Sequence, residues 1–558
     1  IVNPKRAKLR QMYVLRRMHE LHFINDDEFT LSQQAPLVVK HGSQEFGAHA
    51  EYIAEMVRQS IYDQYKEDTY TQGLRAYTTI RLQDQLAAYE AVRKNALDYD
   101  RRHGYRGPEG FVDLSKGNSE EQLEEALQEV TDNDDLIPAI VLAVSPKPVR
   151  AYARGGETIE IEGDALNFVQ RSLSNRVALN QRIIPGSIVR LQKDAKNHWQ
   201  FAQLPQVESA FVSADPRTGA IYSLVGGFDF NHNQYNHVTQ AWRQPGSSIK
   251  PFIYSASLEK GFTPATVIND APLMFDASQT GSEPWQPKNY DGKFEGPMRM
   301  REALTKSKNL VSIRILQSIT PQYAQDYLTK FGFDADKHPP YLTMALGAGS
   351  VTPLQMLGGY SVFANGGFRI QPYFISRIED ANGKILSQAT PVVAGENAEQ
   401  AIDVRNAFTM VSMMQDVVRR GTATRAMQLG RTDLAGKTGT TSDSIDAWFC
   451  GFQPTVVGIA WIGFDQPRSL GDHETGGGAA LPIWISYMEK VLKDVPQAVY
   501  PVPDGIVQAR INAQGNRDSN GELVEYFYQE NVPSEAALPA PTPEGAAKPA
   551  ETLKDQLL

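Results

Sequence analysis

Apolar residues recur with two different periods along the chain, and the change of period divides it into segments. In residues 8–35 they recur every three or four positions, which predicts a helix that buries one stripe and needs a partner. Residues 39–109 mix helical spacing with an alternating run at 74–80, and we interpret them as an α+β linker. Residues 110–204 carry short strand-like runs around one acidic helix. This pattern predicts a small β-rich domain, a β-barrel of the oligosaccharide-binding (OB) type.

The next segment, residues 205–500, has the element order of an α+β domain. A hairpin at 208–225 is followed by several helices, then by three strand-like runs between residues 435 and 463, and by a closing helix at 481–492. We therefore predict an antiparallel sheet that is assembled from both ends of this domain and flanked by helices. The chain as a whole is predicted to be a multidomain α+β protein.

Composition narrows the possible functions. A chain of 558 residues is too long for one core, and its net charge of −10 argues against a nucleic-acid surface, which needs clustered Lys and Arg. The single cysteine, Cys450, excludes an internal disulfide, and its apolar neighbours predict a buried, inert thiol. The ten histidines show no metal-ligand spacing, so we infer neither a metal nor another cofactor. Residues 501–558 form a C-terminal extension, whose Ala/Pro/Glu-rich part at 536–549 is predicted to be disordered.

One short stretch combines a helix start with a candidate nucleophile. Pro251 is tolerated only in the first turn of a helix, so its helix begins near Ser247. Ser247 and Lys250 lie on one face of that turn, where the amine can take the hydroxyl proton and the helix dipole favours the alkoxide. The same spacing at Ser257 and Lys260 lies at the opposite helix end, where the dipole opposes an alkoxide. A capping serine beside a solvated lysine also explains the first pair, so this stretch alone leaves both interpretations open.

Two further patterns follow in the same domain. Ser307 and Asn309 form an S-x-N pattern on a connection between predicted helices. Lys437 begins a K-T-G-T pattern on a predicted strand, where Gly439 would let a substrate approach the backbone. Each pattern is common by itself. All three in this order within one domain are a specific signal.

The three motifs together resemble those of the class A (bifunctional) penicillin-binding proteins, most of all the 1a type of Gram-negative bacteria. Residues 4–7 and 14–18 look like the last motif of that family's glycosyltransferase domain, so residues 1–38 are interpreted as its C-terminal remnant. The catalytic glutamates of that domain would lie upstream, and we expect the chain to be a fragment. The stretches that carry the resemblance elsewhere are 243–248, 285–290, 346–353 and 446–449.

The resemblance implies a penicillin-binding transpeptidase fold and a D,D-transpeptidase that cross-links peptidoglycan stem peptides ending in D-Ala-D-Ala. Ser247 would form the acyl-enzyme, with β-lactam antibiotics as covalent inhibitors. Lys250 would be the general base, and a neutral amine there requires desolvation or a nearby cation such as Lys437. Ser307 would relay the proton to the leaving amine.

The remaining site residues would bind the substrate. Asn309 would hold the substrate amide, and the Thr438 and Thr440 hydroxyls would bind its terminal carboxylate beside the Lys437 amine. The backbone N–H groups of Ser247 and Thr440 would form the oxyanion hole. Trp285 either walls the cleft or is simply buried.

Two alternatives share the implied fold, a serine β-lactamase and a non-enzymatic β-lactam sensor. A class A β-lactamase needs an extra glutamate for deacylation, and none in a recognisable Ω-loop setting occurs between residues 309 and 437. The glycosyltransferase remnant and the inserted domain argue against a sensor. The resemblance further implies a parent protein that also uses the lipid-linked precursor. We expect a membrane helix upstream of this chain to anchor it at the periplasmic face of the inner membrane.

Overall fold

The N-terminal segment is helical, as the spacing of its apolar residues predicts. A computed structural model describes residues 4–34, 47–131, 133–145, 147–277 and 283–535. It has two helices in place of the predicted one, α1 (Pro4–Glu20) and α2 (Asp26–Gln34), because the chain turns between them at His22, whose φ of 60° is left-handed. Within the described residues no member of the apolar stripe is fully buried, and Leu9 is 71% exposed. No described helix is both long and apolar enough to cross a membrane.

The predicted linker packs against the large domain that follows it. Three small residues of its longest helix, Ala87, Ala88 and Ala91, lie in the core of that domain. The buried Gln85 side chain accepts a hydrogen bond from Leu224 N at 2.8 Å and donates one to Leu224 O at 3.0 Å, which satisfies a sheet edge. The elements of this segment are α3 (Glu51–Tyr65), α4 (Asp68–Thr71), β1 (Arg75–Thr78) and α5 (Leu82–His103).

The β-rich segment forms one sheet with a core of its own, around Val141, Ile159 and Leu191. The strand order is β2-β6-β3-β4-β5, and β7 also pairs with β6, so no pairing of the described strands closes a barrel. The predicted barrel is therefore wrong. A 3-10 helix at Gly163–Leu173 packs against β5 and β7, where closure would occur. The elements are β2 (Gly110–Phe111), α6 (Glu120–Gln128), β3 (Ile137–Val144), β4 (Pro148–Ala153), β5 (Glu157–Glu162), β6 (Ser187–Lys193) and β7 (Trp199–Ala202).

The large domain has two early strands, a helical middle and three late strands. Its first half contains β8 (Glu208–Ala214), β9 (Ile221–Val225), α7 (Lys250–Leu258), β10 (Val267–Asp270), β11 (Gly296–Arg299), α8 (Met300–Thr305), α9 (Asn309–Ile319) and α10 (Pro321–Thr329). Its second half contains α11 (Pro353–Ala364), β12 (Phe368–Arg369), β13 (Ile375–Glu379), β14 (Ile385–Gln388), β15 (Glu399–Gln400), α12 (Val404–Arg420), β16 (Ala435–Thr440), β17 (Asp446–Gln453), β18 (Val456–Gly463) and α13 (Leu481–Val491).

The central sheet joins both ends of this domain in the antiparallel order β16-β17-β18-β8-β9, which confirms the prediction. Every residue of β8, β17 and β18 is buried, because α5 and α13 cover one face and α11 packs on the other. Strands buried on both faces are continuously apolar, as 447–452 and 456–463 are. Strand β16 is left at one edge, where its outer backbone groups are open to other contacts.

The C-terminal extension adds a hairpin, β19 (Ile506–Ile511) and β20 (Leu523–Tyr528), that is fixed to the large domain. The fully buried Glu525 carboxylate accepts two hydrogen bonds from the Arg301 guanidinium on α8, at 2.7 and 2.5 Å. Such a bidentate pair is directional as well as strong. The predicted disorder at 536–549 lies outside the described residues.

Candidate active site

The turn that carries Ser247 leads directly into α7. Residues Gly246–Ile249 form one 3-10 turn, and the helix continues from Lys250 with Pro251 in its first turn, as predicted. Gly246 has a φ of 54°, a conformation that favours glycine. Ser247 is half-buried, whereas Lys250 and the rest of the helix are buried. A surface lysine beside a capping serine is therefore not what the fold contains.

The second pair with the same spacing, Ser257 and Lys260 at the other end of this helix, makes other contacts. The Ser257 hydroxyl donates to Tyr254 O at 2.7 Å, and the exposed Lys260 lies over the Tyr323 ring at 4.1 Å. Neither group contacts the other's functional atom. The dipole argument and the observed contacts both leave Ser247 as the candidate nucleophile.

Edge strand β16 packs directly on the Ser247 turn through two glycines. A Cβ atom at Gly439 would lie 2.4 Å from Pro245 O and 2.8 Å from Ser248 Oγ, and one at Gly246 would lie 2.5 Å from Thr440 O. Real Cβ atoms do not approach so closely, so both positions need glycine. Gly439 was expected to admit a substrate to the backbone. In the structure the lack of a side chain at Gly439 lets the turn that carries Ser247 pack against β16.

The Thr440 amide points at the same turn. Thr441 N donates to Asp446 O on β17 at 3.1 Å, and successive amides of an antiparallel strand point to opposite sides. The Thr440 N–H therefore points away from β17, toward the free edge where Gly246 lies. A Cβ atom at Gly246 would lie 3.0 Å from Thr440 N, so this amide lies beside the turn that contains Ser247.

Ser307 brings two buried lysines together. Its hydroxyl oxygen accepts a hydrogen bond from Lys437 Nζ at 2.8 Å and lies 3.3 Å from Lys250 Nζ. Lys250 Nζ also donates to Ser307 O and to Asn309 Oδ1, both at 2.8 Å. The three motifs, which are spread over almost two hundred residues of sequence, thus meet within hydrogen-bond distance. The structure brings together Ser307, Asn309 and both lysines.

The backbone of Ser307 is held in an unfavourable conformation. Its φ is 58°, in the left-handed region that is disfavoured for residues other than Gly, Asn and Asp. Ser307 N donates to Leu304 O at 3.0 Å and Lys308 N donates to Ala303 O at 2.8 Å, the bond pattern that ends helices with a glycine at this position. A serine in a glycine position is strained, and strain of this kind concentrates at functional sites.

Burial lowers the pKa of both lysines. The complete burial of Lys250 lowers its pKa well below the usual value, and the nearby Lys437 charge lowers that pKa further. Burial likewise lowers the pKa of Lys437 to about 7. Cys450, opposite Lys437 on β17, is fully buried, and burial raises the pKa of its thiol, as expected for an inert cysteine.

The threonines of β16 have partners that the sequence did not reveal. Thr438 Oγ1 lies 2.6 Å from Thr422 Oγ1, and Thr440 Oγ1 accepts from Gly476 N at 3.0 Å. Neither Thr422 nor Gly476 stands at a spacing that marks a site. Thr422 lies in the turn after α12, and Gly476 begins the π-helical turn Gly476–Ala480 that leads into α13.

Trp285 is half-buried, so its burial alone does not decide between a wall of the cleft and a core tryptophan. Its ring stacks on Phe275 at 5.5 Å, and the two backbones exchange hydrogen bonds of 2.9 Å. Three residues further on, Lys288 O accepts from Asn309 Nδ2 at 2.9 Å. The segment that contains Trp285 therefore borders the S-x-N motif.

Comparison with known proteins identifies the two central domains. Residues 209–462 match the penicillin-binding protein transpeptidase domain, and residues 105–207 match the penicillin-binding protein OB-like domain. Penicillin-binding protein 1A of Neisseria lactamica is 44% identical over all of this chain and 68% of its own length. The chain belongs to the penicillin-binding protein 1A family. The corresponding protein of Pseudomonas aeruginosa is 40% identical over 96% of this chain and 71% of its own.

A solved structure agrees with this assignment. Penicillin-binding protein 1A from Haemophilus influenzae, 34% identical, superposes with a TM-score of 0.85 over 96% of this chain and 84% of that one. The chain is accordingly a serine-type D,D-transpeptidase of cell-wall synthesis, and nothing in these comparisons favours the β-lactamase alternative. Membership of this family implies peptidoglycan substrates and β-lactam binding, and its members are envelope-associated proteins.

Proposed function

We propose that Ser247 is the nucleophile of the transpeptidase and that Lys250 is its general base. One observation carries this assignment: two buried lysines, Lys250 and Lys437, converge on the Ser307 hydroxyl at 3.3 and 2.8 Å, and Lys250 follows Ser247 by one helical turn. Taking two amines out of water is costly unless at least one of them is neutral. A neutral Lys250 beside a protonated Lys437 is the division of charge that general-base catalysis needs.

Acylation then proceeds with a closed proton balance. The Ser247 oxygen bonds to the carbonyl carbon of the penultimate D-Ala while its proton passes to Lys250 Nζ. The C–N bond to the terminal D-Ala breaks, and the Ser307 hydroxyl passes the proton from Lys250 to the leaving amine. The backbone N–H groups of Ser247 and Thr440 stabilise the oxyanion of the tetrahedral intermediate.

Substrate binding falls to the groups around Lys437. The Thr440 hydroxyl accepts from Gly476 N and so keeps its own hydrogen to donate, and the Thr422–Thr438 pair keeps one of its two. These hydrogens and the Lys437 ammonium suit the terminal carboxylate of a stem peptide. Asn309 is proposed to hold the substrate amide, and Trp285 to border the cleft.

The acceptor step reverses the first. The amine of a second stem peptide attacks the acyl carbon, Lys250 receives its proton through Ser307, and the proton returns to Ser247 as the ester bond breaks. The products are a cross-linked peptide and free enzyme, so no cofactor or metal is required by this scheme.

Intact-mass analysis after incubation with benzylpenicillin tests the nucleophile. We expect one penicilloyl adduct per chain, mapped by peptide sequencing to Ser247 and lost in Ser247→Ala. An adduct on Ser257 or Ser307 would refute the assignment. Benzylpenicillin and stem peptides together distinguish a transpeptidase from the two alternatives. A transpeptidase holds the penicilloyl group and joins stem peptides, a β-lactamase releases the penicilloyl group at once, and a sensor holds it without forming a peptide product.

We further propose the wider context that the family resemblance implies. In this proposal residues 1–38 end a glycosyltransferase domain that uses the lipid-linked precursor, and an upstream helix anchors the parent in the inner membrane with this part in the periplasm. Residues 39–109, 110–204, 205–500 and 501–558 are proposed as linker, OB-like domain, transpeptidase domain and C-terminal extension. A parent gene without an upstream apolar span of about 20 residues would contradict the anchoring. Failure of a variant lacking residues 110–204 to acylate would contradict the independence of that domain.

A further inference from the structure

The helix that begins with Asn309 has no capping residue next to it in sequence. Lys308 precedes α9 and supplies no side-chain cap. The first amides of a helix have no partner within the helix, so a buried helix start needs acceptors from elsewhere. This helix begins at Asn309, the last residue of the S-x-N motif. Whatever holds the first N–H groups of the helix therefore also fixes the position of the Asn309 side chain.

Asn289, twenty residues earlier, supplies these acceptors. Its Oδ1 accepts from Asn309 N at 2.9 Å and from Leu310 N at 3.3 Å. Its Nδ2 donates to Asp270 Oδ1 and to Lys293 O, both at 2.7 Å. Asn289 is buried, with 4% exposure, and both donors and the acceptor of its amide are engaged. Its orientation is therefore fixed from four sides.

The residues next to Asn289 and Asn309 make further contacts between the same two segments. Lys288 O accepts from Asn309 Nδ2 at 2.9 Å, which leaves Asn309 Oδ1 directed at Lys250 Nζ. The buried Lys308 amine lies 3.0 Å from Asp291, 2.9 Å from Glu295 and 3.6 Å from Asp270. The three acidic residues lie on β10 or in the 270–295 segment that holds Asn289. Thus the residues on both sides of the S-x-N turn are tied to one segment.

We propose that Asn289 is a positioning residue for transpeptidation: by capping α9 from a distance, it holds Asn309 against Lys250 without touching the substrate. This inference rests on the proposed roles of Asn309 and Lys250. The capping amide is held in turn by Asp270, a fully buried carboxylate that also accepts from Glu295 N at 3.0 Å. The Asn289–Asp270 pair is therefore the link that fixes the cap.

The first test is Asn289→Ala, followed by the second-order rate constant for acylation by a fluorescent penicillin. We expect a loss of about 10- to 100-fold, because displacing a catalytic group by about 1 Å costs this much. The acid limb of the pH profile should also move to lower pH, because the Oδ1 atom that stabilises protonated Lys250 is withdrawn. A merely destabilised protein would acylate less without moving that limb.

Two controls separate positioning from loss of stability. Asp403 caps α12 by accepting from Arg405 N at 2.8 Å, so Asp403→Ala removes a cap of the same kind elsewhere in the domain and should leave acylation and its pH profile unchanged. The exchange Asn289→Asp with Asp270→Asn keeps the total charge, the cap and the link between the two side chains. It should recover most of the rate that Asn289→Asp alone loses.

The outcomes distinguish this inference from the proposed function. An Asn309→Ala variant that acylates at the wild-type rate would refute the role of Asn309 itself. If Asn309→Ala is slow and Asn289→Ala acylates normally with an unchanged pH profile, only the positioning role is refuted. Equal losses in the single and exchanged variants would likewise show that the link between positions 289 and 270 does not act.

Discussion

The strain in the Ser307 backbone can be measured separately from the proposed role of its hydroxyl. Two substitutions, Ser307→Ala and Ser307→Gly, remove the same hydroxyl and the same hydrogen bonds to Lys437 and Lys250. They differ only in the Cβ atom. Because Ser307 has a φ of 58° at the end of α8, only the alanine variant retains the left-handed strain.

The magnitude follows from that difference. The left-handed conformation destabilises a residue with a Cβ atom by about 1–2 kcal/mol. Glycine avoids this cost but destabilises the folded state by about 0.4–1 kcal/mol, because it has greater freedom in the unfolded chain. The glycine variant should therefore unfold with a free energy about 1 kcal/mol larger than that of the alanine variant. With an unfolding entropy of about 2.1 cal/mol/K per residue, this difference corresponds to about 1.5–2 °C in the melting temperature of a domain as long as residues 205–500.

Activity should not follow stability. Both variants lose the proposed proton relay, so both should acylate about 100- to 10,000-fold more slowly than the wild type, by similar factors. Thermal unfolding and acylation by a fluorescent penicillin, measured on the same preparations, check both statements. An alanine variant as stable as the glycine variant would refute the strain, and wild-type acylation in either would remove the hydroxyl from the proton path.

Three further predictions follow from the same geometry. Lys250→Ala should fold normally and lose acylation by about 100- to 10,000-fold, and wild-type labelling of this variant would exclude Lys250 as the base. The acylation rate constant of the free enzyme should fall as pH rises through about 7, because Lys437 then loses the charge that binds a carboxylate. Lys437→Arg should remove this fall. A wild-type rate constant that rises steadily to pH 9 would contradict the prediction. Gly439→Ala should destabilise the domain by about 1–3 kcal/mol and slow acylation, since the new Cβ would lie 2.4 Å from Pro245 O. Gly358→Ala, whose Cβ would meet nothing closer than 3.9 Å, should be tolerated, and equal effects of the two would refute the contact argument.

The sequence by itself determined the local elements and the identity of the motifs. Pro251 placed the start of the helix that follows Ser247, and the apolar runs at 447–452 and 456–463 marked two strands of the domain. The order of elements was enough to predict a sheet assembled from both ends of the domain. These signals are local, because they depend on the backbone restrictions of one residue or on the period of one element.

Only the tertiary structure decided which distant residues contact the motifs that the sequence identified. Whether Lys250 is solvated or buried depends on groups brought from residues 307–309 and 437, and burial is what lowers its pKa. The contact of Gly439 with Pro245 and the cap that Asn289 places on α9 each join residues far apart in sequence, with no spacing that encodes them. The prediction of a barrel was wrong for the same reason. The alternation of apolar residues predicts strands, whereas closure of a barrel depends on which edge strands pair. The 3-10 helix Gly163–Leu173 packs against β5 and β7, where closure would occur.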